Sequence, residues 1–173
     1  MKTLLLVRHA KSSWDDPSIR DFDRPLNDRG KRDAPLMAEK LHSSGIPIDV
    51  IVSSPAKRAE KTAEAFAKKY GIGQDDLCHK IELYLAQAEQ FYQVISGIND
   101  RFKHAAIFSH NSGITDFANH LNVAVIDEIP TCGIFAVTTE AESWMEFKKA
   151  PLRFWFFDYP KNQEKPNYPI ISF

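Results

Sequence analysis

The chain has no apolar run near the ~18 residues that a membrane-spanning helix needs, so no membrane role is expected. It has no signal-peptide pattern either, since the early apolar run Leu4 to Val7 is too short for a signal core. Neither sign of charge is in excess: 22 lysines and arginines face 23 aspartates and glutamates. That balance leaves no basic field to recruit nucleic acid or an anionic membrane surface. Cysteine is scarce, with only Cys78 and Cys132, far apart and matching no zinc-ligand spacing. A bridge between them has no support in the sequence. Repeats and low-complexity tracts are missing too. What remains is the expectation of a cytoplasmic, monomeric protein of one domain over residues 1–173, long enough to bury a real core.

The opening stretch MKTLLLVRHAKSSW raises the first functional question. Leu4 to Val7 reads as a fully buried strand of a parallel sheet, continuous and not alternating, and it runs straight into Arg8 and His9. Ligands of open α/β sheets bind outside the carboxyl ends of strands, where this pair would sit. Residues 11–30 read as a polar loop with Pro17, Pro25 and Gly30. Ala34, Met37, Ala38 and Leu41 then set a helical spacing closed by Gly45; Asn27 is a candidate cap and Pro35 a candidate kink.

Asp49 to Val52 is a second short strand, and SSPAKRAEKTAEAFAKKY a well-marked helix, with a serine as cap and Pro55 in the first turn. A further helix is expected over Ala86 to Ile98, a third strand over Ala105 to Phe108, and a helix carrying Ile114, Phe117, Ala118 and Leu121. This alternation predicts a parallel sheet with helices on both faces. The last third changes character: GIFAVTT and SWMEFK read as strands joined by a tight turn, LRFWFF as another, and 161–173 as an extended tail.

Three strand ends carry chemistry: Arg8-His9, then Ser53-Ser54-Pro55 leading to Arg58, then His110. In a parallel sheet these ends share one edge and can converge. Two arginines, a helix N-terminus and two histidines make a poor core and a good phosphate pocket. Guanidinium groups grip phosphoryl oxygens in a forked geometry and offset the charge of a transferring group. An imidazole of ordinary pKa, ~6.5, is available as a neutral nucleophile.

LLLVRHAKSSW, FDRPLNDRG, SSPAKRAEKTA and FSHNSG, in that order, resemble the histidine phosphatase superfamily, and within it the small SixA-like phosphohistidine phosphatase branch. The resemblance extends to the late PTCG and FDYPK stretches. It implies a phosphoglycerate mutase-like α/β/α sandwich of three layers with a mainly parallel central sheet. It also implies that His9 is the nucleophile, that Arg8 and Arg58 bind the phosphoryl group, and that His110 lies beside it and stabilises the transition state. Arg24 corresponds to an additional phosphate-pocket arginine of that branch. No cofactor or metal is implied. Ser12, Ser13 and Asn111 are secondary donors that loop caps explain equally well, and Lys11, Arg29, Lys31 and Arg32 add positive charge near the mouth. His42, His79, His104 and His120 fall outside the motifs.

One departure matters. Mutase and acid-phosphatase branches carry a carboxylate that protonates an alkoxide leaving group. In IELYLAQAEQF, Leu85 occupies that place, with Glu82 and Glu89 nearby. Imidazole leaves far more readily than an alkoxide, so the missing acid favours a phosphohistidine-bearing protein as substrate over sugar phosphates. Three alternatives stand beside this reading. One is a phosphatase of small phosphate esters on the same site. Another is a silent phosphoprotein-binding module, against which the intact His9 and His110 count. The third is a metal hydrolase, disfavoured because crowded arginines would repel a cation.

Overall fold

The computed structural model describes residues 1–162 together with Tyr168 and Pro169. Its centre is a six-stranded mixed sheet in the order β3-β2-β4-β1-β5-β6. The strands are β1 (Lys2–Arg8), β2 (Val50–Ser53), β3 (Leu77–His79), β4 (His104–Ser109), β5 (Ile134–Thr139) and β6 (Leu152–Asp158). Strands β3, β2, β4 and β1 run parallel, while β5 pairs antiparallel with both β1 and β6. The helices are α1 (Asp28–Ser43), α2 (Lys57–Tyr70), α3 (Ala88–Ser96) and α4 (Gly113–His120).

Side-chain alternation along each strand divides the core into two halves. Leu5, Val7, Ile51, Ala106 and Phe108 pack with Met37, Leu41 and Phe66 of α1 and α2. Leu4, Leu6, Val52 and Ile107 pack with Phe91, Ile95 and Phe117 of α3 and α4 on the other face. The result is the expected α/β/α sandwich, with β1 and β4 buried on both faces and so apolar without interruption.

Several local expectations need correction. Asn27 does cap α1, its side chain accepting from the Gly30 N–H at 2.9 Å, but the helix runs through Pro35 as one element. No serine caps α2: Ala56 holds the cap position and Pro55 lies outside the helix. The Ser54 hydroxyl accepts instead from the Ala56 N–H and meets His110 across the site. SWMEFK is not a strand. Trp144–Glu146 forms a single 3-10 turn, capped by Ser143, that drives Trp144 into the core. The indole N–H there donates to the Phe102 carbonyl at 2.9 Å. β3 has only three residues, too few for a period to show in sequence. Most of the expected tail 161–173 lies outside the described residues; Tyr168 donates to Asp158 on β6 at 2.6 Å.

Candidate active site

The register of the sheet brings the motif residues together. Arg8 pairs with Ser109 and Ser53 with Phe108, so β1, β2 and β4 end at one edge. Past that edge the His9 N–H still donates to the Ser109 carbonyl and the Ser54 N–H to the Phe108 carbonyl. Arg8, His9, Arg24, Arg58 and His110 all line one open cavity of about 410 Å³.

His9 is 7% exposed and its orientation is set by the backbone. Nδ1 lies 2.7 Å from the Ala10 carbonyl oxygen. A carbonyl can only accept, so Nδ1 carries the proton and Nε2 keeps its lone pair. Toward that lone pair Arg58 donates from Nε at 3.3 Å. Burial first, and then the positive charges of Arg58, Arg8 and Arg24, lower the His9 pKa to about 3. His110, with ring centre 5.1 Å from that of His9, is lowered to about 2, by burial first and then by His9 and Arg58. Both rings are therefore neutral near neutral pH. His110 places Nε2 2.8 Å from the Ser54 hydroxyl. Its Nδ1, like Arg8 Nε, is buried without a hydrogen-bond partner among the described residues.

The arginines converge through a residue that sequence reasoning did not single out. Arg58 sits in the first turn of α2, where Thr62 fixes the local backbone by bridging the Arg58 carbonyl and the Ala10 N–H. Its guanidinium donates to the Asp21 carbonyl at 2.5 Å and to the Asp21 carboxylate at 3.1 Å. Arg24 donates to the same carboxylate at 3.2 Å and to the Ser12 hydroxyl at 3.0 Å. Tyr84 donates to it at 2.7 Å. Burial would raise the Asp21 pKa, but the Tyr84 hydrogen bond and the charges of Arg58 and Arg24 outweigh it and bring the group to about 2. Asp21 is thus an ionised clamp on two guanidiniums and not a proton donor. Arg8 is held separately, by Glu128 and by the Ile129 carbonyl at 2.8 Å.

Other candidates sort plainly. Asn111 and Lys11 line the cavity, whereas the Ser13 hydroxyl is used in a turn, accepting from the Asp15 N–H. Arg29 bonds Thr131 in an adjoining cleft. Glu82 lines a different cavity, against Val52 and Val94, and Glu89 pairs with Lys148 on the surface. Neither reaches the His9 cavity, so the candidate acids near Leu85 fall away. Leu85 itself does line that cavity. Asp21, Tyr84 and Glu128 went unrecognised in the sequence. The one available signal was the three-residue spacing of Asp21 from Arg24; Glu128 offered none. Among the described residues no group of three or more His, Cys, Asp or Glu side chains is placed to hold a metal. Among the same residues no helix is long and apolar enough to cross a membrane.

Fold and cavity together define an α/β protein with three arginines and two neutral imidazoles gathered at one edge of its sheet. Residues 4–76 match the model of the histidine phosphatase superfamily (branch 1). An uncharacterized chloroplastic protein of Arabidopsis thaliana is 31% identical over 84% of this chain and 70% of its own. A SixA of Agrobacterium tumefaciens, assigned as a phosphohistidine phosphatase, superimposes with TM-score 0.75 at 25% identity, over 92% of this chain and 98% of that one. The 2,3-bisphosphoglycerate-dependent phosphoglycerate mutase of Bartonella tribocorum is 31% identical over 57% of this chain, which spans about half (47%) of that enzyme. The chain belongs to the histidine phosphatase superfamily, an enzyme of its phosphatase class, and its likeness is to the SixA-like branch.

Proposed function

We propose that the protein is a phosphatase working through a phosphohistidine on His9, with a protein phosphohistidine as its substrate. The observation that carries this is the His9 geometry: one ring nitrogen is tied to Ala10, which puts the lone pair on Nε2, facing the Arg58 N–H that donates to it until a phosphoryl group engages both. In the first step Nε2 forms a bond to phosphorus while the bond from phosphorus to the leaving group breaks; a phosphohistidine protonated on its distal ring nitrogen departs with the electron pair as neutral imidazole, whereas an alkoxide would have to take a proton from water. In the second, water attacks the same phosphorus and the P–Nε2 bond breaks, releasing phosphate, returning His9 to its neutral Nδ1–H form and passing the water's proton to the phosphate or the solvent. Arg8, Arg24 and Arg58 bear the charge on the phosphoryl oxygens, the part a metal plays elsewhere. His110 and its partner Ser54 complete the pocket wall.

The substrate class is supported by the carboxylates near the site: among the described residues none is placed in the cavity as a proton donor. Asp21 is held ionised by its partners, and Glu82 and Glu89 lie outside the cavity. General acid assistance is worth ~10²–10⁴-fold, and an alkoxide forgoes it here, whereas imidazole, a much weaker base, does not need it. The SixA likeness points the same way. The test is kcat/KM in EDTA for a phosphohistidine peptide and a series of aryl and alkyl phosphates, in wild type and Glu82→Gln. Activity should persist under chelation and fall steeply with leaving-group basicity in both proteins. A flat dependence in wild type that turns steep in Glu82→Gln would instead support a phosphatase of small esters.

A further inference from the structure

Two large apolar side chains stand in water at a cavity otherwise lined by polar and charged residues. Trp14 is 71% exposed and Leu85 64%, and both line the cavity that contains His9. Single exposed hydrophobic residues need no explanation on an open surface. These two share one polar cavity, and each is held in place. The Arg24 guanidinium lies 3.5 Å from the Trp14 ring centre, a cation–π contact with a side chain itself fixed by Ser12 and Asp21.

Leu85 has φ 51°, in the left-handed region that a branched side chain avoids. Such strain persists only where the surroundings impose it, and it gathers at ligand sites. The surroundings here are visible on both sides. Tyr84 is anchored through its hydroxyl to Asp21. The Ala86 carbonyl presses so closely on Gly113 that a Cβ there would come within 2.0 Å of it. Between these anchors Leu85 is kept outward instead of relaxing into the protein.

We infer that Trp14 and Leu85 form the leaving-group subsite, taking a flat, weakly polar ring such as the imidazole of a phosphohistidine side chain or an aryl group. Its location rests on the phosphatase reading above. With the phosphoryl oxygens turned to the guanidiniums, the departing group lies opposite His9 Nε2, toward the open mouth. A ring there gains contact with the indole and leucine surfaces, while a hydrated sugar or glyceryl chain gains little.

The probes are phenylphosphonate and methylphosphonate, which bind as phosphoryl analogues without turnover, titrated calorimetrically into the full chain. Wild type should bind the phenyl compound about tenfold more tightly, the scale of one favourable aromatic contact. Trp14→Ala should erase most of that preference and Trp14→Phe should retain it, which separates a ring surface from a mere support for Arg24. Leu85→Gly, which adopts the same backbone without strain, should also reduce it. A wild type with no preference, or a preference unchanged in both Trp14→Ala and Leu85→Gly, would overturn the subsite. Turnover of a phosphohistidine peptide with an unchanged phenyl preference would leave the function standing and remove the subsite. A Trp14-dependent preference in a protein that never forms phospho-His9 would do the reverse.

Discussion

Acidification from pH 6.5 to 5.0 should destabilise this protein well above the range where carboxylates titrate. His9 and His110 are 7% and 2% exposed, with pKa values lowered to about 3 and about 2, whereas an unfolded chain offers histidines near ~6.5. Below pH 6.5 the unfolded state therefore binds protons that the folded state refuses, and stability falls with falling pH until the folded values are reached. Each histidine contributes up to ~1.4 kcal/mol per pH unit, so two over 1.5 units set a ceiling of about 4 kcal/mol. Half-protonation of the unfolded histidines already at pH 6.5, together with water in the open cavity, reduces this to about 2 kcal/mol. Asp21 adds a smaller effect of the same sign lower down. Its pKa is depressed to about 2, so its stabilisation is present above ~4 and is lost as pH falls toward 2. The carboxylate is half exposed, with 47% side-chain accessibility, and solvent screening holds its share below ~1 kcal/mol. The assay is urea unfolding at a series of pH values for wild type and the His9→Gln/His110→Gln double variant. Wild type should lose about 2 kcal/mol more than the variant between pH 6.5 and 5.0; parallel curves would refute the reasoning.

Arg58→Lys should lower kcat by about 10²-fold and Arg58→Ala by more, because an ammonium cannot reproduce three simultaneous contacts to His9 and Asp21. Steady-state kinetics on an aryl phosphate checks this, and near-wild-type turnover in Arg58→Lys would contradict it. Gly30→Ala should destabilise the fold by about 1–3 kcal/mol, read as a lower Tm. The added Cβ would fall 2.2 Å from the Lys11 carbonyl oxygen, forcing apart α1 and the loop that carries Ser12.

The edge that carries the candidate site was legible in sequence because a buried parallel strand leaves little ambiguity: when Leu4 to Val7 stops at Arg8-His9, the polar pair has only the sheet edge to occupy. The same logic located Ser53-Ser54 and His110. What escaped was whatever depends on distant partners. Asp21 is one of four aspartates within residues 15–23, and only the fold, by bringing Arg58 from 37 positions away, makes it a clamp. Tyr84 stands beside the Leu85 that was singled out, yet its role required the same aspartate. A serine of the Ser53-Ser54 pair was expected to cap α2, but Ser54 lies outside that helix, and the approach of His110 from 56 positions away gave it a partner in the site. SWMEFK alternates like a strand, but Asp100 accepts from the Trp144 N–H at 2.7 Å and the Ser143 hydroxyl at 2.9 Å, fixing a turn instead.

The central claim is that His9 Nε2 carries the phosphoryl group in transit. Rapid quench of the enzyme with radiolabelled phosphohistidine peptide, followed by peptide mapping in alkali, tests it most directly. The account predicts alkali-stable, acid-labile label on His9 within the first turnover, decaying to phosphate, and no label in His9→Gln. Steady turnover with no label on His9, or a His9→Gln protein retaining most of the wild-type rate, would contradict it.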